Sequence, residues 1–144
     1  MQDLNYNTGM MELAIQGDQS RILRFNPSDG NIANGFLQLI TNASEKLKEF
    51  SNKEFKSDNE LENIKQKNKI DLELDQHFRS ELDLIFGAGT SDMVFGNLCT
   101  TAITENGECI FINFLMALMP FISKEMQERN AKIEEVINKY KPKG

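Results

Sequence analysis

One histidine, two cysteines and a scatter of carboxylates are what this 144-residue chain offers for chemistry. His77 stands beside Phe78, with Asp75, Arg79 and Glu81 close in sequence. General acid–base or nucleophilic work needs a second group held within hydrogen-bond reach. At these spacings on a helix such charges face solvent, and that is the expectation here. Cys99 and Cys109 are ten residues apart and far from His77, which matches no zinc-ligand spacing. No Lys, Arg or His between Arg79 and Lys124 is available to lower a thiol pKa, so both cysteines read as small packing residues. Among the carboxylates only Asp92, Glu105 and Glu108 stand apart from basic neighbours. Asp92 and Glu108 fall in predicted helix first turns, where the dipole favours an anion. No carboxylate pair sits in an apolar setting of the kind glycoside hydrolysis uses. Gly87-Ala88-Gly89-Thr90-Ser91 has the look of a phosphate cradle. It lacks the Gly-Lys-Ser/Thr ending and follows a predicted helix instead of a strand, so a structural turn is expected. No catalytic, metal-binding or cofactor-binding residue is assigned. A small-ligand or enzymatic role for the Gly87–Ser91 turn stands as an alternative.

Composition points the same way. Hydrophobic residues make up 40% and charged residues 26%, as in an ordinary single globular domain. Acidic residues outnumber basic ones by 22 to 16, a net charge of -6. A non-specific nucleic-acid binder needs the opposite balance. The first residues carry neither a basic nor an apolar signal segment, so reduced thiols in a cytosol are expected. The one strongly apolar run, residues 109–122, is too short to span a bilayer.

These residues must be carried by a small set of elements. Residues 1–9 are expected to be loose. Residues 10–25 read as a β-hairpin: Met11, Leu13 and Ile15 alternate with polar or small residues, Gly17-Asp18 turns the chain, and Arg21, Leu23 and Phe25 share a face. A helix over 27–50, capped by Asn26 or Ser28, places Ile32, Phe36, Leu39, Ile40, Ala43, Leu47 and Phe50 along one side. Gly30 and Gly35 weaken it, and either could mark close helix packing. Residues 45–83 hold 11 acidic and 8 basic residues. A second helix over 59–86 follows, with Leu74, Phe78, Leu82 and Ile85 on one side and a solvated early half anchored only by Leu61 and Ile64. A short helix over 90–96, capped by Thr90 or Ser91, leads through a polar, Thr-rich connection to a long helix over 107–139, kinked near Pro120. Its later part is amphipathic through Met126, Ile133, Val136, Ile137 and Tyr140, and residues 141–144 form a basic tail. The fold class is α+β and mainly α, in one domain.

The texture changes at Phe86. From there to Ser123 only three residues are charged, and the helix through Ile110, Phe111, Ile112, Phe114, Leu115, Met116, Leu118, Met119, Phe121 and Ile122 is apolar on nearly every side. Such a helix must be surrounded, and a domain this small can surround it only in part. Core at some turns and partner surface at others is the expectation.

Three segments together resemble a known family: LRFNPSDGNIANGF (23–36), IFGAGTSDMVFGN (85–97) and ENGECIFINFLMALMPFI (105–122). The paired steps Phe86-Gly87 and Phe95-Gly96 around a Gly-Thr-Ser-Asp turn are the most specific part. The arrangement looks like the tail assembly chaperones of long-tailed phages and prophages of Gram-positive bacteria. The resemblance implies a non-enzymatic, mainly helical protein of the host cytoplasm that is not in the mature virion. It implies binding of the tape measure protein and recruitment of tail tube protein, with no cofactor, no nucleic acid and no membrane. Many such chaperones also exist in a longer, frameshifted form, and Pro142-Lys143-Gly144 can be encoded by a slippery run. The contact set expected for the partner is Met93, Phe95, Phe111, Phe114, Leu115 and Met119, with the hairpin edge at Met11 to Ile15 as a place for self-association. A structural tail-completion or connector component of the virion is the rival reading.

Overall fold

The computed structural model describes residues 1–140, without the side chains at 125–126, 129–130, 132–134 and 136–140. The apolar positions Met126, Ile133, Val136, Ile137 and Tyr140 and the tail 141–144 therefore lie outside the described residues. The order is β1 (Met11–Ile15), β2 (Asp18–Phe25), α1 (Gly30–Ser51), α2 (Glu60–Phe86), α3 (Thr90–Phe95) and α4 (Ile110–Tyr140). This is a small α+β domain, mainly helical, opened by a β-hairpin.

The hairpin is antiparallel and pairs Met11 with Phe25 and Leu13 with Leu23, with a bulge between Ala14 and Ile15. Its turn is Gln16-Gly17 and not Gly17-Asp18: both residues have positive φ, 53° and 77°, while Asp18 already pairs with Ile15. Two successive left-handed residues give the turn twist that matches a hairpin. The Ser20 hydroxyl and then its N–H bond Asp18, holding its carboxyl below the usual carboxylate range. Leu23 and Phe25 are buried, and the Phe25 ring meets Phe86 edge-on at 5.6 Å. A two-stranded sheet is marginal alone, so this apolar face on the helices is what holds it.

α1 starts later than the 27–50 expectation. Asn26 Oδ1 accepts from the Ser28 N–H in the preceding turn, and the helix cap is Asp29, whose carboxylate accepts from the Asn31 N–H at 2.9 Å. Ile32, Ala33, Phe36, Leu39 and Ala43 are buried along one stripe. Of the two glycines, Gly35 is the close approach. A Cβ there would lie 2.9 Å from Cγ1 of Ile85 on α2, whereas one at Gly30 would meet nothing. This gives a signed prediction. Gly35→Ala is expected to gain helix propensity but lose about 1–2 kcal/mol to the clash, for a net destabilisation. In an Ile85→Ala background the same change is expected to stabilise by roughly 0.5–1 kcal/mol. Chemical denaturation of the four proteins of the cycle measures it, and equal effects in both backgrounds would rule the contact out.

α2 buries Leu74, Phe78 and Leu82, four residues apart, and its first turns stand in solvent with Leu61 and Ile64 exposed. Asn59 caps it through the Leu61 N–H. α4 begins at Ile110, so Glu108 lies before the helix and not in its first turn; there its carbonyl accepts from the Thr104 N–H at 2.9 Å. The helix buries Phe111, Leu115, Leu118 and Ile122. At the centre of the core Phe78 and Phe111 stack with ring centroids 4.6 Å apart and planes within 10°.

Candidate functional site

The hairpin, α3 and α4 enclose an open groove of about 620 Å³. Leu13, Ala14 and Ile15 form its sheet wall, Val94, Phe95 and Leu98 its floor, and Phe114, Ala117, Leu118 and Phe121 its α4 wall. The helical spacing of the last four puts them on one stripe. On that wall Phe121 is 41% exposed, a large apolar side chain open to solvent.

The groove's floor is held by charges. α3 is too short to be stable through its own hydrogen bonds, and three side chains from other elements clamp it. Asp83 of α2 accepts from the Ser91 N–H at 2.7 Å and from the Ser91 hydroxyl at 3.1 Å. That corrects the expected Thr90 or Ser91 self-cap: the residue before α3 is Gly89, in the left-handed region at φ 86°, and the capping carboxylate comes from eight residues upstream. At the other end Arg21 of β2 donates from Nε to the Met93 carbonyl at 2.9 Å and from Nη2 to the Val94 carbonyl. Arg79 of α2 donates to the carbonyls of Gly96 and Leu98 at 2.9 and 2.6 Å. It also pairs with Asp75 at 3.3 Å and with Asp92 at 3.2 Å, and its guanidinium lies 5.7 Å from the centre of the Phe95 ring. Asp75 in turn accepts from the Thr100 N–H at 2.7 Å and from its hydroxyl at 2.6 Å. Thr100 is fully buried. The polar 97–106 connection is thus a pinned wall, closed by a single bridge between Ile103 and Cys109.

This arrangement bears on the chemistry open to the chain. Three amides of the Gly87–Ser91 turn are in use: Ser91 N–H on the Asp83 carboxylate, Thr90 N–H on the Gly87 carbonyl at 3.2 Å and Gly87 N–H on the Asp83 carbonyl at 2.8 Å. A phosphate there would have to displace a carboxylate of the same charge. His77 Nε2 lies 2.8 Å from Glu81 Oε1 on the same helix, half exposed and away from the groove. Cys109 is buried, which pushes its thiol above the ordinary value, and Cys99 Sγ sits 3.0 Å from Thr101 Oγ1. Among the described residues no group of three His, Cys, Asp or Glu is arranged to hold a metal ion, and no helix is long and apolar enough to cross a membrane.

The six expected contact residues divide. Phe95 and Phe114 line the groove, their rings edge-on at 5.3 Å. Met93 and Met119 are half-buried against the core and do not line it. Phe111 and Leu115 are core residues, 0% and 1% exposed, and present no surface to a partner. Leu98, Ala117 and Phe121, which the groove does use, were outside the expected set. A helix apolar on all sides gives no sign of which stripe the rest of the domain covers. Compared with family models, with curated proteins and with solved structures, the chain matches none of them.

Proposed function

We propose that this chain is a non-enzymatic tail assembly chaperone of a phage or prophage, acting in the host cytoplasm. It binds the tape measure protein and assists tail tube assembly. The observation that carries the reading is the open apolar groove of about 620 Å³ between the hairpin, α3 and α4, with Phe121 exposed on its α4 wall. Its walls fit an amphipathic helix laid with its apolar face inward. Pro120 lies within α4, where its ring removes the backbone bond to the Met116 carbonyl. The resemblance carried by segments 23–36, 85–97 and 105–122 supports the tape measure protein as the client.

Co-expression with a helical, aggregation-prone tape measure fragment is expected to keep that fragment soluble. The double variant Ala117→Asp, Phe121→Asp puts two charges in the groove and is expected to abolish most of that effect. Both positions are exposed, so stability should fall by no more than about 1 kcal/mol. A fragment equally insoluble with and without the chain overturns the reading. Stoichiometric amounts of the protein in purified particles, read by mass spectrometry, would favour a tail-completion or connector component instead.

A further inference from the structure

Two unpartnered surfaces of this chain match each other. The first is the arm before β1. Residues 1–10 form no helix or strand and are all exposed, Leu4 at 87% and Tyr6 at 77%. Leu4 and Tyr6 are two residues apart, so an extended arm places both on one face. The arm leaves its domain through a built turn. Asn7 Oδ1 accepts from the Gly9 N–H at 2.9 Å, and Asn26 Nδ2 donates to the Thr8 carbonyl at 2.9 Å. Gly9 has φ +68°, and a Cβ there would come within 3.0 Å of Asn26 Nδ2. Residues 1–7 are thereby directed off their own domain.

The second surface is the outer edge of β1 with the groove beneath it. Among the described residues β1 pairs with β2 alone, so alternate backbone N–H and C=O groups point away from the ladder. Among the described residues no backbone group from another segment bonds to that edge. We propose that the arm of one copy adds as a third strand to the β1 edge of a second copy and seats Leu4 and Tyr6 at its groove.

Charge confines a second copy to this contact. At a net charge of -6 two copies repel over most of their surfaces. The arm carries a single charged side chain, Asp3, and the groove lining a single one of opposite sign, Arg21. Length agrees as well: residues 1–7 fully extended span about 23 Å, and a five-residue strand about 17 Å. Reciprocal exchange closes a two-fold dimer and removes the exposed strand edge. The arm occupies the groove in the client-free protein. This inference holds whatever the client is, because its assay contains none, so its failure leaves the client reading standing and the reverse is also true.

Light scattering coupled to size exclusion on the full chain is expected to give twice the 16.4 kDa protomer mass. Deletion of residues 2–7, and separately Leu4→Asp with Tyr6→Asp, are expected to give folded monomers with the parent's circular dichroism spectrum, because within their own protomer these residues are exposed. Mixing the arm deletion, whose groove is intact, with the Ala117→Asp, Phe121→Asp variant, whose arm is intact, should restore a complex held by one arm. A larger assembly that also needs both arm and groove supports the same contact. A full chain that stays monomeric up to its solubility limit, or an arm deletion that still dimerises, overturns it.

Discussion

Arg79→Ala is expected to lower stability by about 3 kcal/mol, which for a domain of this size is roughly 10 °C in Tm. The guanidinium is only 15% exposed and reaches three segments at once. Its loss leaves the Gly96 and Leu98 carbonyls without their donors and Asp75 without its cation. The cost falls mainly on Asp75, whose side chain is 14% exposed, whereas the Gly96 and Leu98 carbonyls belong to exposed residues that water can reach. The pair with Asp92 adds little, since that carboxylate is exposed to water. Arg79→Lys should recover only part of the loss, because one ammonium cannot reproduce a fork directed at two carbonyls and a carboxylate. The effect should also be local. Amide exchange is expected to accelerate across residues 96–104, which include Leu98 and Thr104 of the groove wall, more than across α1. A variant with the parent's melting curve would show that the network contributes nothing to folding.

That network marks the limit of what sequence pattern discloses. The elements were legible because their apolar periods are local. The 74–78–82 repeat on α2 and the alternation of Leu23 with Phe25 are each read within one window, and each is buried. Asn59 and Gly87, which bound α2, are punctuation of the same local kind. What was not legible depends on pairs distant along the chain. Thr100 reads as a loop residue until Asp75, twenty-five positions earlier, is brought beside it. Arg21 reads as a strand residue on the inner face. Only the fold shows that it faces the carbonyl end of α3, 72 residues later. Both arginines complement the negative end of a short helix dipole, and Asp83 complements the positive end. The dipole rule was available from the sequence, but the elements supplying the charges were not. The candidate site divides along the same line. The type of surface, an apolar α4, was readable, while its orientation was decided by which side chains α1 and α2 present to it.

The division of the α4 residues between core and groove yields the second large effect. Phe111→Ala is expected to cost about 4 kcal/mol. The ring is fully buried, stacked on Phe78 at 4.6 Å and tilted against Phe95 at 5.9 Å, so truncation opens a cavity bordered by three helices. Domains commonly have only about 5–15 kcal/mol in total, so much of the margin goes. Phe111→Leu keeps most of the apolar volume and should cost about 1–1.5 kcal/mol. The comparison with the groove is what gives the measurement its force. Phe111→Ala should lose client retention only in step with its loss of folded protein, and regain it on cooling or with a stabilising osmolyte. Ala117→Asp with Phe121→Asp should lose retention with the fold intact, and no stabiliser should restore it. The two kinds of loss separate a residue that builds the groove from one that fills it. A Phe111→Ala protein that melted like its parent yet failed to hold the client would place that ring at the surface and undo the orientation of α4 on which the groove rests.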